Sequence, residues 1–130
     1  MKPLFSLLVL SILFVVHPAW ADVTYDKCIE SSDGTNSSWS VCGGQWIERA
    51  DRKLNEVWQT LYKNADGQTK SDLLAEQRAW NAYKEKSCNF LRNGEWGREG
   101  QVLHHPICRA KVIEYRIKEL QSYETQMKGK

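Results

Sequence analysis

Four cysteines, Cys28, Cys42, Cys88 and Cys108, restrict the folds open to this chain more than any other feature. They all follow an N-terminal stretch that begins with Lys2, continues through an apolar run at residues 4–16, and closes with Pro18 and Ala19-Trp20-Ala21. That layout reads as a secretory signal peptide over residues 1–21, with cleavage expected after Ala21 and a periplasmic or secreted destination. An even set of cysteines in a chain bound for an oxidising compartment predicts disulfides, and four cysteines allow three pairings. The intervals between them hold 13, 45 and 19 residues. A zinc site needs far closer Cys or His spacing, so neither a metal nor another cofactor is expected.

The apolar run spans 13 residues, short of the roughly 18 that a membrane span requires. Asp22 rather than a cysteine follows the expected cut, so no stable membrane anchor is expected. Residues 22–130 then form one small domain with a modest core. Without Lys2, basic residues exceed acidic ones by a single charge, which gives no field to draw in nucleic acid or an anionic membrane.

Helical periodicity dominates this part of the chain. Trp39, Cys42, Trp46, Ala50, Leu54, Val57 and Leu61 recur every three or four residues and mark one buried stripe. Ser38 is the expected N-cap, and Asn64-Ala65-Asp66-Gly67 supplies a turn. Gly43 and Gly44 weaken this helix, each by about 1 kcal/mol against Ala. A second helix is expected from Thr69, with Asp72 completing a capping-box-like pair, through Leu73, Leu74, Gln77, Trp80 and Tyr83 to about Phe90. Residues 91–105, with three glycines and no period, read as a long loop. A third helix starts near Pro106 and carries Cys108, Val112, Ile113, Tyr115, Ile117, Leu120 and Tyr123. The expected fold is all-α: a small disulfide-stapled three-helix bundle with an irregular N-terminal arm over residues 22–37.

That arrangement favours one cysteine pairing. Cys88 ends one helix and Cys108 starts the next, so a bridge between them ties both ends of the loop, while Cys28 with Cys42 pins the arm. Each closed loop is worth roughly 3 kcal/mol in the chain-entropy model, a large share of the stability of so small a domain.

The segments Cys42-Gly-Gly-Gln-Trp46, Ala50-Asp51-Arg-Lys-Leu54-Asn55 and Gln77-Arg78-Ala79-Trp80, followed by Cys88, resemble the LprI-type lysozyme inhibitor family. Cys108, Arg116 and Leu120 fit its closing segment, and the resemblance spans residues 28–120. It implies an exported, disulfide-bonded helical domain and, from a relative credited with inhibiting lysozyme, a protein ligand with no chemistry of its own. Lys84 stands where the family pattern suggests Arg, and residues 91–105 are peculiar to this chain.

Two groups of residues follow as site candidates. Asn55, Gln77, Arg78, Trp80 and Arg116 read as a structural network in which polar side chains brace a packed Trp. Arg92, Trp96, Arg98, His104 and His105 lie on the tethered loop and read as the partner-binding set. Lysozyme-type hydrolases hold two carboxylates in an open glycan cleft; a cationic side chain could face those carboxylates while Trp96 covers a sugar subsite. The expected partner is therefore lysozyme or another peptidoglycan hydrolase. The alternative is an envelope module that binds peptidoglycan glycan or another protein without inhibiting, resting on Trp39 and Trp96 in or beside irregular segments. No catalytic residue is expected, because His104 and His105 have no nucleophile or converging acid beside them once the cysteines are bridged.

Overall fold

A computed structural model describes residues 22–130; the expected signal peptide lies outside the described residues. The fold is all-α. Four helices, α1 (Val23–Glu30), α2 (Asn36–Asn64), α3 (Gly67–Lys86) and α4 (His105–Lys128), are joined by short turns.

The arm is not irregular as expected, because most of it forms α1. Asp22 caps that helix by accepting from the Tyr25 N–H at 2.7 Å, and the same carboxylate pairs with Arg49 of α2 at 3.0 Å. Tyr25 packs on Trp46 with ring centroids 4.9 Å apart, and Cys28 is bonded to Cys42. These contacts build a small apolar cluster of Tyr25, Cys42, Trp46 and Ala110. Trp46 satisfies its indole N–H on Glu114 at 2.7 Å.

Thr35, not Ser38, is the N-cap of α2; its hydroxyl accepts from the Ser38 N–H at 3.2 Å. Asp33 braces this cap, accepting from the Thr35 and Ser38 hydroxyls at 2.7 and 2.6 Å, and those bonds, Ser38 first, hold its carboxyl down at about 2. The helix runs unbroken through Gly43 and Gly44. Gly43 is buried where α2 crosses α4, and a Cβ there would collide with the Pro106 ring, whereas Gly44 faces open space. Only the first glycine is required by close approach.

The main core lies along the α2–α4 seam. Ala50, Leu54, Val57 and Leu61 of the expected stripe meet Ile113, Ile117 and Leu120, with Leu73 of α3 closing the cluster. Leu61, Ile113 and Leu120 are fully enclosed, each worth about 1.5–3 kcal/mol relative to exposure. The α3 helix begins at Gly67, two residues before the expected start, and Asp72 accepts from Gln68 at 2.8 Å instead of completing a capping box. It ends at Lys86, short of Phe90.

Residues 91–105 are not the long loop that the missing period suggested. The 3-10 turns Asn89–Arg92 and Gly94–Trp96 lead into a helical turn, Gly97–Glu99, and a π-type turn, Gly100–His104, that runs directly into α4. Pro106 cannot donate a backbone hydrogen bond, and its ring crowds the preceding turn; a widened π-type turn just upstream accommodates both effects.

Candidate functional site

The site grows from the way α3 stops. Ser87 closes the helix with its N–H on the Tyr83 carbonyl at 2.8 Å, and Cys88 then takes a left-handed conformation at φ 65°. Arg109 of α4 seals this end: its Nη2 donates to the Ser87 carbonyl at 2.9 Å and reaches the Glu85 carbonyl and Asn89 Oδ1 at 3.3 Å. The Cys88–Cys108 bridge locks the same junction. Arg109 was missed from sequence, although its position next to a bridged cysteine places it beside the end of α3.

Beyond the bridge, Asn93 accepts from the Glu95 N–H at 3.0 Å, and Gly97 turns the chain at φ +61°. Gly100 is buried against the Leu91 carbonyl and the Trp96 Cβ, where any Cβ of its own would collide. Trp96 is thereby held out from the bundle at 47% exposure, next to Phe90 at 58%. The two rings meet edge to face at 5.7 Å, and Trp96 meets His104 in the same manner at 6.3 Å.

Four of the five expected contact residues share this surface. Arg92, Arg98 and His104 are exposed beside Trp96, and Arg98 donates to Gln101 at 2.8 Å. His105 is placed otherwise. It is buried at the root of the segment, its Nε2 meets no hydrogen-bond partner, and burial followed by the Arg109 and Arg92 charges holds its imidazole at about 4. Consecutive helical residues point about 100° apart, so the two histidines cannot share one surface. Trp39 lies half-buried near the start of α2, on the stripe expected for that helix.

Sequence reasoning also missed the second wall. Trp96, Leu91, Ile107, Val112 and Tyr115 enclose a largely apolar cleft of about 430 Å³ between the turn segment and α4, with Lys111 and His104 on its lining. Tyr115, read from sequence only as part of the third helix, is 53% exposed. A second cleft of about 400 Å³ continues past Val112 and Tyr115 toward Trp80, Tyr83 and Glu119.

The network candidates divide. Arg116, its side chain 2% exposed, donates from Nε and Nη2 to Gln77 Oε1 at 3.0 and 2.9 Å, and from Nη1 to Glu76 and Glu119 at 2.6 and 2.5 Å. Burial alone would lower the guanidinium pKa, but the bonds from Glu119 and Glu76 outweigh it and leave it above its ordinary value. Its guanidinium lies 5.8 Å from the Trp80 ring centre and 5.9 Å from that of Tyr123. Lys84 approaches Trp80 at 5.8 Å and binds Asp51 at 3.3 Å, tying α3 to α2. Asn55 and Arg78 are exposed and stand outside this network. Gln77, Trp80 and Arg116 are therefore devoted to joining helices.

Fold and site together define a small, disulfide-stapled all-α protein whose exposed face is aromatic and cationic. The chain belongs to the lysozyme inhibitor LprI family, whose model matches residues 28–120. No curated protein and no solved structure matches the chain. Two disulfides and membership of this family accord with an extracytoplasmic location. Among the described residues, no helix is long and apolar enough to cross a membrane.

Proposed function

We propose that the protein is an exported inhibitor of lysozyme or a related peptidoglycan hydrolase, released by cleavage after Ala21, which lays residues 89–104 on the enzyme's glycan cleft. The observation that carries this reading is the pairing of a lysozyme-inhibitor family match with a tethered segment that holds Phe90 and Trp96 in solvent. An aromatic residue fixed before binding loses little conformational entropy on docking, and exposed aromatics with Arg neighbours are the residue types that dominate interface energies. Arg92 and Arg98 supply positive charge to face the carboxylates of such a cleft, and Trp96 supplies the apolar anchor.

The test is a titration of several lysozyme types with excess disulfide-bonded protein, following lysis of cell-wall substrate. At least one type should be inhibited in a saturable, stoichiometric manner, and Trp96→Ala should weaken that inhibition by about 30-fold or more, the effect of losing a hot-spot residue. Unchanged hydrolysis by every type refutes the proposal. Full inhibition by the Trp96 variant removes the segment from the contact.

A further inference from the structure

The cleft behind Trp96 differs from its neighbours in charge. Its ionisable lining groups, apart from the Tyr115 phenol, are Lys111 and His104, both basic. The adjoining cleft contains Glu119, and the one on the α1 side contains Asp26 and Glu30. Among the described residues Lys111 makes no ion pair, whereas Lys84 and Arg116 are fully engaged in theirs. A cleft of about 430 Å³, with apolar and aromatic walls and few polar groups, has the size and lining of a small-molecule site. Its walls are also fixed rather than adaptable. The Cys88–Cys108 bridge, the buried Gly100 and the helical α4 residues Ile107, Val112 and Tyr115 set its shape before any ligand arrives.

We propose that this cleft binds a small amphiphilic carboxylate, with its apolar body between Trp96 and the Ile107, Val112 and Tyr115 side chains and its anionic head on Lys111. The apolar lining selects against a fully polar ligand, because burying unpaired hydroxyls there carries a desolvation cost. The lone unpaired ammonium selects an anion over a neutral or cationic amphiphile of the same length. The inference concerns the free protein and stands apart from hydrolase inhibition.

The experiment is an NMR titration of the disulfide-bonded protein with decanoate below its micellar concentration, and in parallel with decan-1-ol and decyltrimethylammonium. Decanoate should move the Trp96 indole N–H and the Lys111 and Val112 amides to saturation, and decan-1-ol should bind about tenfold more weakly. Lys111→Met should lower decanoate affinity about tenfold and leave decan-1-ol affinity unchanged, while Lys111→Arg should retain the preference for the acid. Equal binding of all three probes overturns the proposal, as does a Lys111→Met variant with unaltered decanoate affinity. Shifts that scatter over the surface without saturating also overturn it.

Discussion

The two disulfides close loops of similar size on opposite kinds of structure. Cys28–Cys42 clasps α1 to a surface it already matches, through Tyr25 on Trp46 and Asp22 on Arg49. Cys88–Cys108 clasps a segment whose largest side chains, Phe90 and Trp96, point into solvent. The first staple reinforces packing that covers the aromatics, and the second supplements packing that leaves them uncovered. A binding surface must leave apolar area uncovered, so a segment that serves as one cannot be held by burying its own aromatics. Covalent tethering, Arg109 on the α3 carbonyls, the Gly100 approach and burial of Leu91 and Val102 hold it instead.

Removing the bridges puts this comparison to its strongest test. Cys28→Ser with Cys42→Ser, and Cys88→Ser with Cys108→Ser, should each lower stability by about 3 kcal/mol in urea unfolding. Their effects on the Trp96 surface should diverge. The first pair should keep the Trp96 indole resonance in place, and the second should shift it and weaken hydrolase inhibition. Equal loss of inhibition in both variants would break the distinction.

Acid should act on the root of the segment through His105. The unfolded chain protonates this residue near pH 6.5, while the folded chain keeps it neutral down to about 4. Between these values the unfolded state binds more protons, so stability falls as pH drops from 6.5 toward 4, by up to about 3 kcal/mol. Above that window the residue is neutral in both states and contributes no slope. Asp33 works in a separate, lower range: its contribution is complete above 3.8 and is lost as pH falls toward 2. Urea midpoints at pH 4.5 and 7 should therefore isolate the histidine, and His105→Leu should flatten the difference. A variant with the same slope as the parent would assign the acid sensitivity elsewhere.

The smallest effects come from adjacent glycines in α2. Gly43→Ala should cost about 1–3 kcal/mol, because the new methyl group meets the Pro106 ring at the root of the turn segment. Gly44→Ala should stabilise by about 0.5–1 kcal/mol, since nothing lies near its added Cβ and the helix gains Ala propensity. Thermal unfolding of both variants resolves the opposite signs, and a shared sign would contradict the crossing geometry.

Three long helices and the cysteine pairing were legible because the α2 stripe, and the flanking of one unperiodic stretch by Cys88 and Cys108, are local patterns. The α1 helix was not, because eight residues give too few turns for a period, and its main supports, Trp46 and Arg49, lie far along the chain. Residues 91–105 failed for a different reason. Buried Val102, Pro106 and Ala110 do step by four, but glycines, a proline and a π-type turn interrupt the pattern that marks a helix. Charge and aromaticity on a tethered stretch singled out Arg92, Trp96, Arg98 and His104, which the fold leaves exposed, and His105, which it buries. Lys111 and Tyr115 were assigned to the third helix or passed over, because periodicity does not reveal which helical side chains line a cleft.

The way α3 is attached bears on how the molecule opens. Leu73 and Gln77 are its buried side chains, and much of its remaining hold on the bundle is polar, through Arg116, Lys84 and Arg109, beside the half-covered Trp80. A helix anchored mainly by polar bonds detaches at lower free energy than one sealed by apolar burial. In native-state hydrogen exchange, α3 should therefore open as its own cooperative unit, less protected than the α2–α4 pair, with the Cys88–Cys108 bridge keeping its C-terminal end beside α4 during each excursion.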